Sequence, residues 1–563
     1  MKRYNHLTHE QLIALLQRRE REAAYGLTWE RDEIEPDKAL NDDFVALDLD
    51  HALSHGDAPW RNLIIKGDNF DALRYLRMTH AGKVKCIYID PPYNTGNRDF
   101  VYNDHFFDKN HRFRHSVWLE FMYQRLLLAR DLLHPEGAIF VSIDDNELFP
   151  LGMLMNRVFG EKNFVANVIW QKIFSPKNTA KHFSVDHDYI LVYSIDGDNW
   201  RPNPIPRTEA QDKSYKNPDN DTRGPWTSGD LQARNYYSLG TYPITCPSGR
   251  EISGPGKGMY WRVSKEKFIE LDKDNRIWWG KDGNNMPRLK RFLSEVKTGV
   301  VPQTLWSFDE VGHTQDAKKE MLDILEFEDS PSVFSTPKPT RLIERILRIA
   351  TKPGDLVLDF FAGSGTTAHS ILKLNNEDGG NRRFILVSNS EATEDDPKKN
   401  LCRDICAERV RRVMKGYRSN KGEDMPGLGG GFAYLKTRLL PRHRLDVKLE
   451  HDQVWHALQM MHDHPVSPWT GTSACWSESD GHALGYAPNL QKTVVAALEK
   501  HKNAFHGETI LYSWTPERLS ALIPRVQVRP IPRTLLDRFG KFNVKRRQTV
   551  AASETDTTQK EDA

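Results

Sequence analysis

Five cysteines in 563 residues are few, odd in number and scattered: Cys86, Cys246, Cys402, Cys406 and Cys475. That spread excludes a disulfide framework and fits a reducing compartment. Cys402 and Cys406 stand one helical turn apart, but no second Cys or His pair completes a zinc site, so buried thiols and no metal are expected. Long apolar runs are missing as well. Nothing approaches the ~18 consecutive apolar residues of a membrane span. The opening MKRYNHLTHEQLIALLQRRERE has neither an apolar core nor a small-residue cleavage site, which argues against a signal peptide. The expectation is a soluble, cytoplasmic protein with no membrane association. An excess of one charge is also absent, with 79 basic against 77 acidic side chains. No global basic field announces nucleic acid, although one local stripe is enough for a large enzyme to hold DNA.

What is present is strand–helix alternation over a length that suggests roughly three or four domains. A helix is expected from about Thr8 to Ala24, followed by an acidic stretch. LIIK is a buried-strand run ending at Gly67-Asp68, and FDALRYLRM has helical spacing. VKCIYI is a second short strand, stopping at DPPYNTG. WLEFMYQRLLLARDLL is helical, and AIFVSIDD is a third strand. This pattern predicts a parallel, doubly wound α/β sheet. From about Trp200 to Pro331 the texture changes: Pro, Gly, Asn, Trp and Tyr rise, strands shorten, and a separate loop-rich domain is expected. The α/β pattern resumes with the helix PTRLIERILRIA and the strand–loop LVLDFFAGSGTTA. A linker, RSNKGEDMPGLGGG, precedes a mixed α/β C-terminal region, and the apolar-poor end reads as disordered.

Two loops carry chemistry. Asp90-Pro91-Pro92-Tyr93 sits where a buried strand ends, and open α/β sheets bind ligands outside the carboxyl ends of their strands. Two successive prolines restrict φ and remove N–H groups, so the chain leaves as a stiff arch. The Asp90 carboxylate and Pro91 carbonyl can then present acceptors toward one point, with the Tyr93 ring beside them. Such a set suits a flat heterocycle bearing an amine; an Asp-capped proline turn is the plainer reading. The second loop follows a strand ending at Asp359. Gly363 and Gly365 allow close backbone approach, and a helix N-terminus follows. It is neither a P-loop nor a dinucleotide fingerprint. Alone, it is as readily a tight structural turn.

Together the loops resemble the amino-methylating DNA methyltransferases, whose catalytic motif is (D/N/S)PP(Y/F/W) and whose cofactor loop is F-x-G-x-G. The chain has DPPY and, from Phe361 to Gly365, FAGSG. The catalytic motif comes first, with a long insert between the two. That order resembles the circularly permuted β class, whose insert is a target-recognition domain. The resemblance implies a Rossmann-like S-adenosylmethionine-dependent methyltransferase fold, and Asp at the first motif position implies adenine N6 as target. NRIWWGKDGNNMPRLKRFLSEVKTGVVPQTLW, VGHTQDAKKE, STPKPTRLIERIL and CAERVRRVMKGY extend the similarity to the modification (Mod) subunits of type III restriction systems, over roughly residues 60 to 540. The resemblance gives Asp90, Pro91, Pro92 and Tyr93 the catalytic roles. It places Asp68, Asn94, Lys338, Asp359, Phe361, Gly363, Gly365 and Thr366 around the cofactor, Asp68 at its adenine and Lys338 at its methionine end. One departure is plain: the strand ending at Val387 is followed by Ser388-Asn389-Ser390 where a ribose-binding acid is expected. Either Glu391 folds back, or the Ser and Asn groups take its place.

The implied organisation is an extension at 1–62, a catalytic half at 63–200, a target-recognition domain at 201–332, a cofactor half at 333–420 and a C-terminal domain at 421–563. Within the insert, Asn284, Asn285, Arg288, Lys290 and Arg291 are side-chain types that contact phosphates or base edges; a solvated basic face is the alternative. The implied partners are double-stranded DNA, a second copy of the chain and a restriction subunit. A stand-alone regulatory methyltransferase and a catalytically silent DNA-binding module are the rival readings.

Overall fold

The computed structural model describes Thr8, Trp29 and residues 43–535, apart from 97–100, 103–104, 107–113, 236, 297–298, 326–335, 393–395, 442–449, 472–473, 489–493, 498–506, 524–525 and 533–534. The helix expected from Thr8 to Ala24 (Thr8 itself excepted) and the expected disordered end lie outside the described residues. The chain forms two units, one comprising Met1–Arg201 with Gln303–Ala563, the other Pro202–Pro302.

The first unit is built on β1 (Phe44–His55), β2 (Asn62–Lys66), α1 (Asn69–Thr79), β3 (Val84–Ile89), α2 (Arg114–Leu132), β4 (Leu133–Ile143), α3 (Leu148–Phe159), β5 (Phe164–Gln171) and β6 (His187–Ser194). After the second unit come β7 (Leu305–Trp306), α4 (Thr314–Ile324), α5 (Thr340–Ala350), β8 (Leu356–Asp359), α6 (Thr366–Asp378), β9 (Arg383–Ser388), α7 (Glu408–Lys415), β10 (Phe432–Leu440) and α8 (His451–Met461). Ten strands form one mixed sheet in the order β1-β10-β2-β9-β8-β3-β4-β6-β5-β7. The run from β10 to β4 is parallel throughout, and antiparallel pairs flank it. Parallel strands covered on both faces read as continuous apolar runs, and the pleat sorts LIIK, VKCIYI and LVLD accordingly. Leu63, Ile65, Ile87, Ile89, Leu356 and Leu358 join one core; Ile64, Cys86, Tyr88 and Val357 join the other. Residues of α1, α2, α3 and α8 pack in the first core and those of α4, α5, α6 and α7 in the second.

Several segments fall outside the expected boundaries. β1, within the expected extension, and β10, within the expected C-terminal domain, pair with each other as the first two strands of this sheet. Residues 303–325 lie in the first unit, where Met321 and Ile324 of α4 supply apolar side chains to the second core. A four-stranded sheet of Cys475–Ser479, His482–Ala487, Glu508–Ser513 and Gln527–Pro530 follows.

The second unit has its own apolar cluster, including Trp261, Phe268, Ile277 and Trp279. Its three-stranded sheet pairs Ile277–Trp278, Arg288–Phe292 and Trp226–Asp230. Ile205 and Val300 exchange two backbone hydrogen bonds of 2.9 Å, so its two ends meet. All five cysteines are free and buried. Among the described residues, no helix is long and apolar enough to cross a membrane.

Candidate active site

The parallel strands β2, β9, β8 and β3 are neighbours in that order, so their carboxyl ends deliver Asp68, the Ser388–Glu391 turn, the FAGSG loop and the DPPY arch to one edge. β3 and β8 touch directly, with Leu358 opposite Ile87.

Asp90, Pro92 and Tyr93 of the DPPY arch are each held by a side chain from elsewhere in the unit. Lys338, just before α5, donates to Asp90 Oδ2, and its Nζ lies 5.2 Å from the Tyr93 ring centroid. Asp90 Oδ1 is buried and has no hydrogen-bond partner among the described residues. Trp118 Nε1 donates to the Pro92 carbonyl at 2.7 Å. The Tyr93 hydroxyl donates to Asp188 Oδ2 at 3.5 Å, and Asp188 is held in turn by Lys172 at 2.5 Å. Burial first, then the charges of Asp90 and Asp188, push the Tyr93 phenol well above its usual value. Asn94 closes the arch in a left-handed conformation, φ 55°, and its Nδ2 donates to Glu147 Oε1 at 2.5 Å. The same oxygen contacts His115 Nδ1 at 2.6 Å. Glu147 is 0% exposed, and burial raises its carboxyl to about 8. Burial together with Arg114 lowers the His115 ring.

In the second loop, Gly363 (φ 48°) and Gly365 (φ 75°) are both left-handed, the region glycine enters without strain. A Cβ on Gly365 would lie 3.0 Å from the Cys406 carbonyl. The close approach at this glycine is therefore to the protein's own chain. Asp359 is buried with both oxygens engaged: Oδ1 accepts from Phe361 N at 3.0 Å and Oδ2 from Thr367 Oγ1 at 2.6 Å. Burial raises its carboxyl to about 7, and these hydrogen bonds oppose the rise. Asp359 braces the loop from within. The Thr366 hydroxyl faces inward and accepts from Arg409 at 2.8 Å.

Asp68 caps α1, accepting from Phe70 N at 2.8 Å. Buried Arg125 ties it down at 3.2 Å and reaches Asn69 Oδ1 at 2.5 Å. Asn69 donates to the Phe360 carbonyl at 2.9 Å, which joins the Asp68 turn to the FAGSG loop, and the Phe361 ring meets Phe121 at 6.0 Å. Glu391 is exposed, at φ 49°, and pairs with Lys399 at 3.0 Å. Asp90 to Asn94 and Lys338 thus stand in one cluster, and Asp68, Asp359 and Phe361 beside it; Glu391 is directed to Lys399.

In the second unit, Lys290 requires a correction. It is 1% exposed and its ammonium is paired with Asp219 and Asp221, so it is a buried structural cation and not a phosphate contact. Arg288 is exposed and pairs with Asp230 at 2.9 Å. Arg291 is exposed. Asn284 Oδ1 accepts from Ser248 at 2.9 Å, and Asn285 crowds Gly280, whose added Cβ would meet its side chain.

Asp188, Lys172, Glu147, His115 and Arg125 escaped the sequence reading. Asp188 had the one available signal, a lone acid in the apolar run HDYILVYS; the others sit in ordinary helical or turn contexts.

An α/β sheet with a DPPY arch and a glycine loop on neighbouring parallel strands defines a class, and the chain belongs to it: the DNA methylase family, whose profile matches residues 84–395. The chain is 38% identical over 415 residues to the Mod subunit of the type III restriction-modification enzyme StyLTI of Salmonella typhimurium, covering 68% of this chain and 62% of the relative. It is 33% identical to the EcoPI Mod subunit of Escherichia phage P1, covering 62% and 60%. The Type II methyltransferase M.KpnI of Klebsiella pneumoniae is 31% identical, covering 58% and 79%. The match thus spans about three-fifths of the length of the two Mod relatives.

Proposed function

We propose that the chain methylates adenine N6 in double-stranded DNA, as the modification subunit of a type III restriction-modification system. The observation that carries the reading is the buried, unpartnered Oδ1 of Asp90. An orphaned buried acceptor costs free energy unless a donor arrives, and an amine is such a donor. Asp90 Oδ1 accepts one N–H of the target amine and the Pro91 carbonyl the other. These bonds draw the nitrogen toward tetrahedral geometry and localise its lone pair. Lys338 holds the other carboxylate oxygen, so Asp90 is already oriented before substrate arrives, and catalysis is positioning plus acceptors aimed at developing charge. The target lies inside a duplex and is flipped out at a cost of a few kcal/mol, with Tyr93 beside it.

S-adenosylmethionine fits the neighbouring edge and, when bound, supplies an electrophilic methyl group, so no covalent enzyme intermediate is required. Asp68, Asn94, Phe361, Gly363 and Gly365 would hold it. Asp359 and Thr366 would act indirectly by shaping the loop. With Glu391 drawn to Lys399, the Ser388–Ser390 turn is the better support for the ribose. In this reading the sheet is the permuted β-class arrangement. The second unit reads the target through Arg291 and neighbours, and a second copy and a restriction subunit are the partners. The role of target-reading domain suits a unit with its own core and a single point of entry and exit.

The test is direct. The chain is incubated with labelled S-adenosylmethionine and genomic DNA, and the nucleosides are separated. N6-methyladenine within one short sequence is expected. N4-methylcytosine would overturn the target, and an unlabelled product the activity.

A further inference from the structure

The loop between β5 and β6 has no part in the reading above. β4 is parallel to β3, β6 antiparallel to β4, and β5 antiparallel to β6. β5 therefore ends on the same edge as the DPPY arch. The neck of the loop is closed where Lys172 and Ile173 N–H donate to the Asp186 carbonyl at 2.9 and 3.2 Å. At its root, Lys172 Nζ and the Tyr93 hydroxyl share the Asp188 carboxylate. The loop is thus mounted on the group that holds the arch tyrosine.

Beyond the neck it exposes what a chain normally buries. Phe183 is 89% exposed, Phe174 64% and Val185 48%. Phe174 leans edge-on against Phe308 at 5.2 Å, whereas Phe183 has no ring partner among the described residues. Lys177 and Lys181 are exposed on the same loop, and among the described residues neither forms an ion pair. The loop is nonetheless shaped: the Ser184 hydroxyl accepts from Lys177 N at 2.8 Å and donates to Asp186. An ordered loop that presents a bare aromatic ring and, among the described residues, two cations without an ion pair has the chemistry to meet stacked bases and their phosphates.

We propose that this loop enters the duplex, with Phe183 filling the stack position vacated by the flipped adenine and Lys177 and Lys181 engaging the flanking phosphates. The inference rests on the adenine-methylation reading and deepens it by naming the element that replaces the lost stacking. Apolar side chains inserted between base steps do this elsewhere, and base–aromatic stacking is sequence-tolerant, as a wedge must be.

The test uses the full chain and duplexes carrying 2-aminopurine at the methylated position, which fluoresces when unstacked. Phe183→Ala is expected to lose most of that signal and, on the same duplex carrying adenine at that position, about tenfold in methylation rate, the typical cost of one lost stack. Both should return with Phe183→Trp, or when the target stands opposite an abasic site. Lys177→Gln with Lys181→Gln should lower the salt dependence of DNA binding by a slope of about two. An unchanged signal and rate for Phe183→Ala would overturn the proposal. A wild-type chain that methylates no adenine would instead overturn the function on which it rests. The wedge is then decided by Phe183→Trp emission measured against wild type: quenching on duplex DNA supports it, and unchanged emission refutes it.

Discussion

Lys338 and Asp90 are 248 positions apart, yet the ammonium of one closes on a single carboxylate oxygen of the other at the end of β3. The second oxygen is left buried and unpartnered. The two halves of the sheet therefore meet chemically at the point where the DPPY arch begins, and the pair sets which oxygen remains for a donor.

Removing the cation should loosen that choice. Lys338→Met keeps much of the apolar stem but leaves Asp90 without its tether. Methyl transfer is expected to lose up to about 100-fold in kcat, the scale of a misplaced reacting group. The KM for DNA should change little. Steady-state kinetics checks this; a wild-type kcat would show that the pair does not orient Asp90.

Glu147 offers a pH-dependent prediction. Its folded value of about 8 lies above the ordinary 4.5. Between those values the folded chain holds a proton that the unfolded chain has released, so stability falls as pH rises through that window. Glu147→Gln should flatten the fall and exceed wild type above about pH 8. Asp359, raised to about 7, contributes with the same sign to both proteins, so the difference between the two curves of Tm against pH isolates Glu147. Parallel curves would refute the buried, protonated carboxyl.

Exchange of the second unit tests the division of labour. Replacing Pro202–Pro302 by the matching segment of a Mod relative should redirect methylation to another sequence while the product stays N6-methyladenine. Methylome sequencing reads the result. An active chimera that still marks the original site would place recognition outside the exchanged segment.

Features that act locally were legible. Two prolines stiffen their own backbone, and Gly363 and Gly365 mark a loop that opens a helix without knowledge of their surroundings. The strands beneath them were equally plain, because doubly covered strands are apolar on both faces. What could not be read was which charge meets which. Nothing near Asp188 in the chain names Tyr93, and nothing near Arg125 names Asp68; those pairs exist only once the sheet brings its edge together. Lys290 shows the same limit from the other side. Next to Arg288 and Arg291 it looks like part of a basic surface, but Asp219 and Asp221, from a separate segment, neutralise it and allow its burial. β1 and β10 were missed because they pair with each other at one end of the sheet from regions whose composition resembles a linker or tail.

The hydrogen-bonded meeting of Ile205 and Val300 bears on how such a chain changes over time. Closing a loop costs entropy that grows only with the logarithm of its length, about 0.6 kcal/mol for each doubling. Once the two ends are clasped, the size of what hangs between them scarcely matters to the clasp. A lineage can therefore lengthen, trim or replace that stretch in single steps, and the ten-stranded sheet need not be rebuilt each time.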